Sequence, residues 1–248
     1  MKNLTIILLL ALCLGCKKES ADPKTPSTPG KRLTSVTVNN KPYITFEFQK
    51  ELLVKENAFT FCETNPTDEF TYEYANGQLN KLKTTMRSMF SSTSALCNPA
   101  VGLKGEEIFQ YNTQGKIVKV TRKLDTMLGT TTEYVYNARG FIEKQIIIAG
   151  QNSLTTTFEY DTKGNLVKET DPDGAVAYYE YDNKINPYYL INQRPAWVSA
   201  FNKSPNNVIK ATGRYNFQRT FKYDDEGYPT EVAEDNGLTY QYRYTPRP

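Results

Sequence analysis

From Leu33 onward hydrophobic and polar residues alternate with a period of two, the pattern of strands that bury one face and wet the other. Leu33-Thr34-Ser35-Val36-Thr37-Val38 and Tyr43-Ile44-Thr45-Phe46-Glu47-Phe48 show it first, joined by Asn39-Asn40-Lys41-Pro42. A unit then recurs: aromatic, any residue, Tyr, Asp or Asn, two residues, Gly, one residue, aliphatic. Phe158-Glu159-Tyr160-Asp161-Thr162-Lys163-Gly164-Asn165-Leu166 is its clearest copy, and the segments Phe109 to Ile117 and Tyr134 to Ile142 match it. Phe221 to Pro229 keeps the frame but ends in proline. Tyr179-Glu180-Tyr181-Asp182-Asn183-Lys184 begins a unit and loses its glycine, and Tyr240-Gln241-Tyr242-Arg243-Tyr244 stands as an isolated last strand. No strong helical period appears after residue 33.

Turn chemistry makes each unit a β-hairpin. Asp161 at the first position of a type I turn accepts hydrogen bonds from the turn backbone, and Gly164 supplies the left-handed conformation of a G1 bulge. That turn sets Tyr160 opposite Leu166, with Phe158, Tyr160 and Leu166 on one face and Thr157, Glu159 and Asn165 on the other. The copy from Phe70 to Leu79 is one residue shorter, and its Asn76-Gly77 dipeptide suits a two-residue type I′ turn that keeps Tyr74 opposite Leu79. Isolated hairpins are marginal, so units must stack to make a core. The expected fold is all-β, an antiparallel meander of hairpins forming one long twisted, curled sheet over its aromatic face.

Composition narrows the function classes. The 248 residues are 39% hydrophobic, 23% charged and 12% aromatic, a globular profile with enough apolar residues for a core. Thirty Lys and Arg against 27 Asp and Glu leave +3, which gives nucleic-acid binding no electrostatic footing. Histidine is absent, which removes Ser-His-Asp and Cys-His nucleophile systems and imidazole metal sites. The chain is read as a non-enzyme without cofactor or metal.

Met1-Lys2-Asn3 and the apolar run from Leu4 to Leu14 read as a secretory signal, too short for a membrane-spanning helix. The run ends in Cys13-Leu14-Gly15-Cys16, followed by Lys17-Lys18, and resembles the lipobox of bacterial lipoproteins. The resemblance implies cleavage before Cys16, acylation of that cysteine and anchoring at the cell envelope, on the outer membrane. Cys13 and Leu14 depart from the usual Leu and small residue at those positions. Residues 17–32 carry three prolines with Ser and Thr and almost nothing apolar, so a flexible tether is expected, with a reach of roughly 20 Å and a maximum near ~50 Å. The domain scheme is therefore residues 1–15 signal, 16–32 lipidated cysteine and tether, 33–248 repeat domain. Cys62 and Cys97, in an oxidising compartment, are read as a disulfide, against the alternative of two separate buried thiols.

The repeated Tyr-Asp-x-x-Gly core resembles the YD or Rhs repeats over residues 70 to 245, most closely at 109–117 and 158–174 and least at 179–200. In long members such repeats form a β-sheet shell around a toxin domain. Half a dozen imperfect copies fall short of what a closed shell is expected to need, and the chain looks more like the short lipoproteins that carry such repeats on bacterial envelopes.

Glu73, Glu159 and Glu180 each sit between aromatics. Paired carboxylates are the requirement for glycoside hydrolysis, but nothing here predicts that one acid is desolvated, and a solvated sheet face is the preferred reading. Asp161, Asp182, Asp224 and Asp225 are explained by turn chemistry before calcium. Residues 185–207, INPYYLINQRPAWVSAFNKSPNN, interrupt the repeat with the only tryptophan. Trp197, Tyr188, Tyr189 and Phe201 offer stacking surfaces for a sugar or peptide, with Arg194 and Gln193 as polar partners; the alternative is that they fold over the sheet end as core. Residues 84–105, rich in Ser and Thr, are expected to form a second long loop held by the bridge. The expected function is a lipid-anchored binding module whose partners are the membrane and a glycan. The alternative is an assembly protein that docks another envelope protein through an exposed edge near Tyr240 to Tyr244.

Overall fold

The computed structural model describes residues 30–60, 62–88, 96–125, 127–191 and 199–248. Among them the chain runs through β1 (Lys31–Val38), β2 (Lys41–Gln49), β3 (Leu52–Ala58), β4 (Asp68–Ala75), β5 (Gln78–Met86), β6 (Leu103–Tyr111), β7 (Ile117–Leu124) and β8 (Met127–Tyr136). It continues through β9 (Ile142–Ala149), β10 (Asn152–Tyr160), β11 (Leu166–Thr170) and β12 (Val176–Tyr181), a single turn of helix α1 (Ala200–Lys203), then β13 (Val208–Gly213), β14 (Phe217–Tyr223), β15 (Pro229–Glu234) and β16 (Thr239–Pro246).

The antiparallel meander is as expected, but the sheet closes on itself. Each strand pairs with the next in sequence and β16 returns to β1, giving a closed barrel instead of an open curled sheet. The closing seam sets Leu33 against Tyr244, Val36 against Tyr242 and Val38 against Tyr240. The last strand, expected to be isolated, therefore has neighbours on both sides. The curl that closes the barrel is built into the repeat. At the end of each unit the register slips by one residue, as between Glu159 and Tyr160, where Val167 is left over opposite the pair, and such bulges sharpen strand twist.

Turn geometry follows the residues. Asp161 accepts from the Lys163 and Asn165 amides at 2.8 Å each, and Gly164 holds φ +91°. A Cβ there would also lie 2.8 Å from the Phe141 ring, so both backbone and space require glycine. Asn112, Asn137 and Asp224 make the same pair of bonds in their own turns. Asn76 and Gly77 both have positive φ, and Tyr74 lies opposite Leu79.

These turns gather at one end of the barrel, where a second feature of the repeat appears. Pairing between neighbouring units stops short of this end: the β7–β8 ladder ends at Lys119 opposite Glu133, and the β11–β12 ladder at Lys168 opposite Tyr178. The carbonyls beyond would be unpaired, and the repeat tyrosine fills them. Tyr136 donates its hydroxyl to the Ile117 carbonyl at 2.6 Å, and Tyr111 to Leu79 and Tyr74 to Leu53 at 2.7 Å. Tyr181 donates likewise to the Leu166 carbonyl and Tyr244 to that of Pro229. Five seams between units are thus latched by a phenol, which is why the repeat carries Tyr where a Phe would suffice for packing.

The buried face is the inside, where Leu33, Val36, Phe46, Phe70, Tyr72, Leu82, Phe109, Val120, Tyr134, Phe158, Leu166 and Tyr179 form one core. Asn165, expected on the wet face, is fully buried because it bonds both Asp161 and Asn206. The long loop expected at 84–105 is shorter: Thr84, Thr85 and Met86 belong to β5, opposite Gly105, Lys104 and Leu103.

Candidate binding surfaces

The insertion enters the barrel through a turn that remains intact. Asp182 donates its amide to the Asn207 carbonyl at 3.1 Å, and its carboxylate accepts from the amides of Lys184 and Asn207 at 3.0 Å each. These are the bonds that Asp161 makes with Asn165 and Lys163, and Tyr181 pairs with Val208 as Tyr160 pairs with Leu166. Residues 185–206 therefore stand where Gly164 stands in a regular unit. The sequence shows the lost glycine, but not that Asn207 resumes the turn.

The described part of the insertion is fastened to the barrel at several points. Asn186, buried, donates to the carbonyls of Phe201 and Ser204 at 2.7 Å each, and its amide bonds the Pro205 carbonyl. The Ser204 hydroxyl takes the Leu166 amide and donates to the Tyr181 hydroxyl, the same phenol that latches its seam. Tyr188 meets Phe46 and Tyr242 edge-on at 6.3 and 6.1 Å, so the insertion reaches across the inside of β16 toward β2. Phe201 stacks on Phe217 at 5.8 Å. The Arg219 guanidinium lies 4.6 Å from both of those rings and 5.5 Å from Tyr240, and is paired with Glu234 at 2.6 Å.

Of the predicted ligand residues, Tyr188 and Phe201 are therefore half-buried and engaged in packing, while Tyr189 is exposed. Trp197, Arg194 and Gln193 lie outside the described residues, as does Cys16. Cys62 and Cys97 form a disulfide that ties the β3–β4 connection to the β5–β6 connection, at the end opposite the insertion. Arg87, buried, clamps the same loops: its guanidinium donates to the carbonyls of Pro66, Asn98, Pro99 and Val101 and pairs with Glu69 at 3.0 Å.

Glu73, Glu159 and Glu180 face outward, each paired with a lysine of the next strand: Lys83, Lys168 and Lys210 at 2.5, 2.7 and 2.9 Å. The buried acids are others, at inward positions that alternation alone assigns to apolar residues. Glu107, almost fully buried, pairs with Arg122 at 3.3 Å, and burial pushes its carboxyl above the usual range against the pull of that arginine. Glu169 is raised by burial too, while the Tyr179 hydroxyl donates to it at 2.9 Å. Among the described residues no cluster of acids and cysteines is arranged to hold a metal. A trough of about 500 Å³ on the outer face between β4 and β7 is lined by Lys83, Lys104 and Lys123, with Glu106 and Asp125 offsetting much of their charge.

A closed antiparallel barrel made of Tyr-Asp hairpins, with its aromatic face inward and the Tyr-Asp turns at one end, is a YD-type β-shell. The teneurin YD-shell family matches residues 32–244, and the chain belongs to that family. No curated protein matches the sequence. Solved structures similar to it include a porin-like protein from Bacteroides uniformis, at 12% identity and a TM-score of 0.35, covering 82% of this chain and 76% of that one. Another is a porin-like protein from Bacteroides vulgatus, at 10% identity and a TM-score of 0.38, covering 87% and 99%. The Tc holotoxin pore of Photorhabdus luminescens is similar at 10% identity and a TM-score of 0.21, covering 83% of this chain and 13% of that one.

Proposed function

We propose that the protein is a lipid-anchored cell-envelope protein in which a rigid, non-enzymatic barrel presents the 185–207 insertion as a glycan-binding element. The observation that carries this reading is the splice at Asp182: a long segment replaces one turn glycine while the turn keeps its hydrogen bonds. Long insertions in regular scaffolds are uncommon unless they serve binding. The signal-like start, the lipobox-like Cys16 and the Pro-rich tether supply the anchor. The tether leaves from the insertion end, since the Arg247 amide bonds the Gly30 carbonyl while its guanidinium reaches the Leu190 carbonyl at 3.4 Å. Among the described residues the outer face carries rows of Lys–Glu pairs, where a membrane-spanning barrel would carry an apolar belt.

Tryptophan fluorescence tests the reading, because Trp197 is the only indole. Acrylamide should quench it in the free protein, and one member of an envelope or dietary glycan panel should protect it. An accessible indole that no glycan protects would refute glycan binding. An inaccessible, unresponsive indole favours the second reading, an assembly protein, which the packing of Tyr188 and Phe201 into the barrel also supports.

A further inference from the structure

At the end of the barrel opposite the Tyr-Asp turns, one stretch of β10 has a strand on a single side among the described residues. β9 pairs with β10 from Asn152 to Thr157, but β11 joins β10 only at Thr157 and beyond, so Asn152 to Thr156 project past the shorter β11–β12 hairpin. Gly150, at φ +61°, starts the two-residue turn, and such turns close on a hydrogen-bonded pair, here Ala149 and Asn152. Ladder alternation then turns the backbone groups of Leu154 and Thr156 toward β9, and those of Ser153 and Thr155 toward the open side. Thr157, next in that series, meets Thr170, the last residue of β11, as the alternation requires.

Open edges are normally blunted by lysine, proline or a bulge. None is present here: no charged residue and no proline occurs between Lys144 and Glu159, and the β9–β10 register is unbroken. Asn152 to Thr155 are exposed, and Leu154, at 55%, is the most exposed large hydrophobic residue among those described.

We propose that this edge joins two copies of the chain by antiparallel strand addition, with the two-fold axis at Leu154. The edge is self-complementary in that register. Ser153 lies opposite Thr155 of the second copy, so each outward amide and carbonyl of both residues finds a partner. Small hydroxyl side chains then face each other, Leu154 covers its own copy, and no like charges meet. A partner of different sequence would have no such symmetry to meet. Pairing points the two barrels in opposite directions, with Gly30 of each remote from the seam. The contact is small, so the pair belongs to the transient class.

The chain from Lys17 onward retains every strand and, with Cys62 and Cys97 bridged, has no other cysteine. Sedimentation of this protein should show a concentration-dependent monomer–dimer equilibrium that Leu154→Lys abolishes with an unchanged circular dichroism spectrum. Leu154→Cys should form a disulfide-linked dimer under mild oxidation, because the two-fold brings this residue against itself in the close, non-hydrogen-bonded pair, about 4.5 Å between Cα atoms. Ser153→Cys, equally exposed but opposite Thr155, should remain largely monomeric. A monomer at every concentration, a dimer indifferent to Leu154→Lys, or equal cross-linking of the two cysteine variants would each overturn the proposal.

Discussion

The tyrosine of the repeat does two jobs that the sequence pattern does not separate. Its ring packs inward, which period-two alternation makes legible, and its hydroxyl latches the neighbouring unit, which only the ladder endings reveal. Tyr136→Phe keeps the ring and deletes the bond to the Ile117 carbonyl, in a half-buried place where water can only partly replace it. The expected cost is about 1 kcal/mol, in the range for a hydrogen bond lost with its acceptor left unpaired. Urea unfolding of this variant beside Tyr178→Phe, whose phenol is on the exposed outer face, checks it. Equal stability of the two would mean the latch contributes nothing. Buried charge was hidden in the sequence for a related reason. Glu56, Glu107 and Arg122 sit at inward positions where alternation expects apolar residues, and their partners, among them the Tyr72 hydroxyl at 2.9 Å from Glu56, come from neighbouring strands. β3, in which Glu56 lies, escaped recognition because this inward acid breaks the apolar alternation.

At the scale of elements, hairpins were legible wherever the turn residues are contiguous, since Asp or Asn and Gly at a fixed offset determine both the turn and the register of the strands it joins. The β12–β13 connection defeated that logic because the turn is completed by Asn207, far along the chain from Asp182. Asp182 is consequently the anchor of the insertion. Its carboxylate accepts from the amides of Lys184 and Asn207, from the Asn207 side chain at 3.1 Å and from the Tyr223 hydroxyl. Asp182→Ala removes these together and should cost about 2–4 kcal/mol, several bonds to a charged acceptor not being additive. The loss should be local first: limited proteolysis should nick the variant between residues 185 and 206 while the barrel stays folded. Cleavage spread evenly over the chain would show that the insertion and the barrel do not open separately.

Closure is a property of the whole molecule, and no short segment encodes it. The seam pairs Lys31 with Pro246 and Val38 with Tyr240 across nearly the full chain, and it depends on the twist summed over every bulged unit, which a count of repeats underestimates. A closed wall of phenols has a consequence in alkali. Burial pushes the Tyr136 and Tyr242 hydroxyls up to about 12, and it raises Tyr74, Tyr134, Tyr160, Tyr181 and Tyr244 as well. The unfolded chain ionises its tyrosines near their ordinary value of 10, so above that pH the unfolded state has lost protons that the folded state still holds. Their contribution to stability is complete below pH 10 and declines as pH rises from 10 toward 12. Each tyrosine that stays protonated in the barrel steepens the decline by about 1.4 kcal/mol per pH unit. The urea midpoint should accordingly be flat up to pH 9 and fall sharply between 10 and 12, with a shallower fall in Tyr136→Phe. Absorbance at the phenolate band should rise in step with loss of the circular dichroism signal, since these hydroxyls ionise when the wall opens. Phenolate appearing well before the fold is lost would mean that water already reaches the latches, and that the seams between units open independently of the barrel.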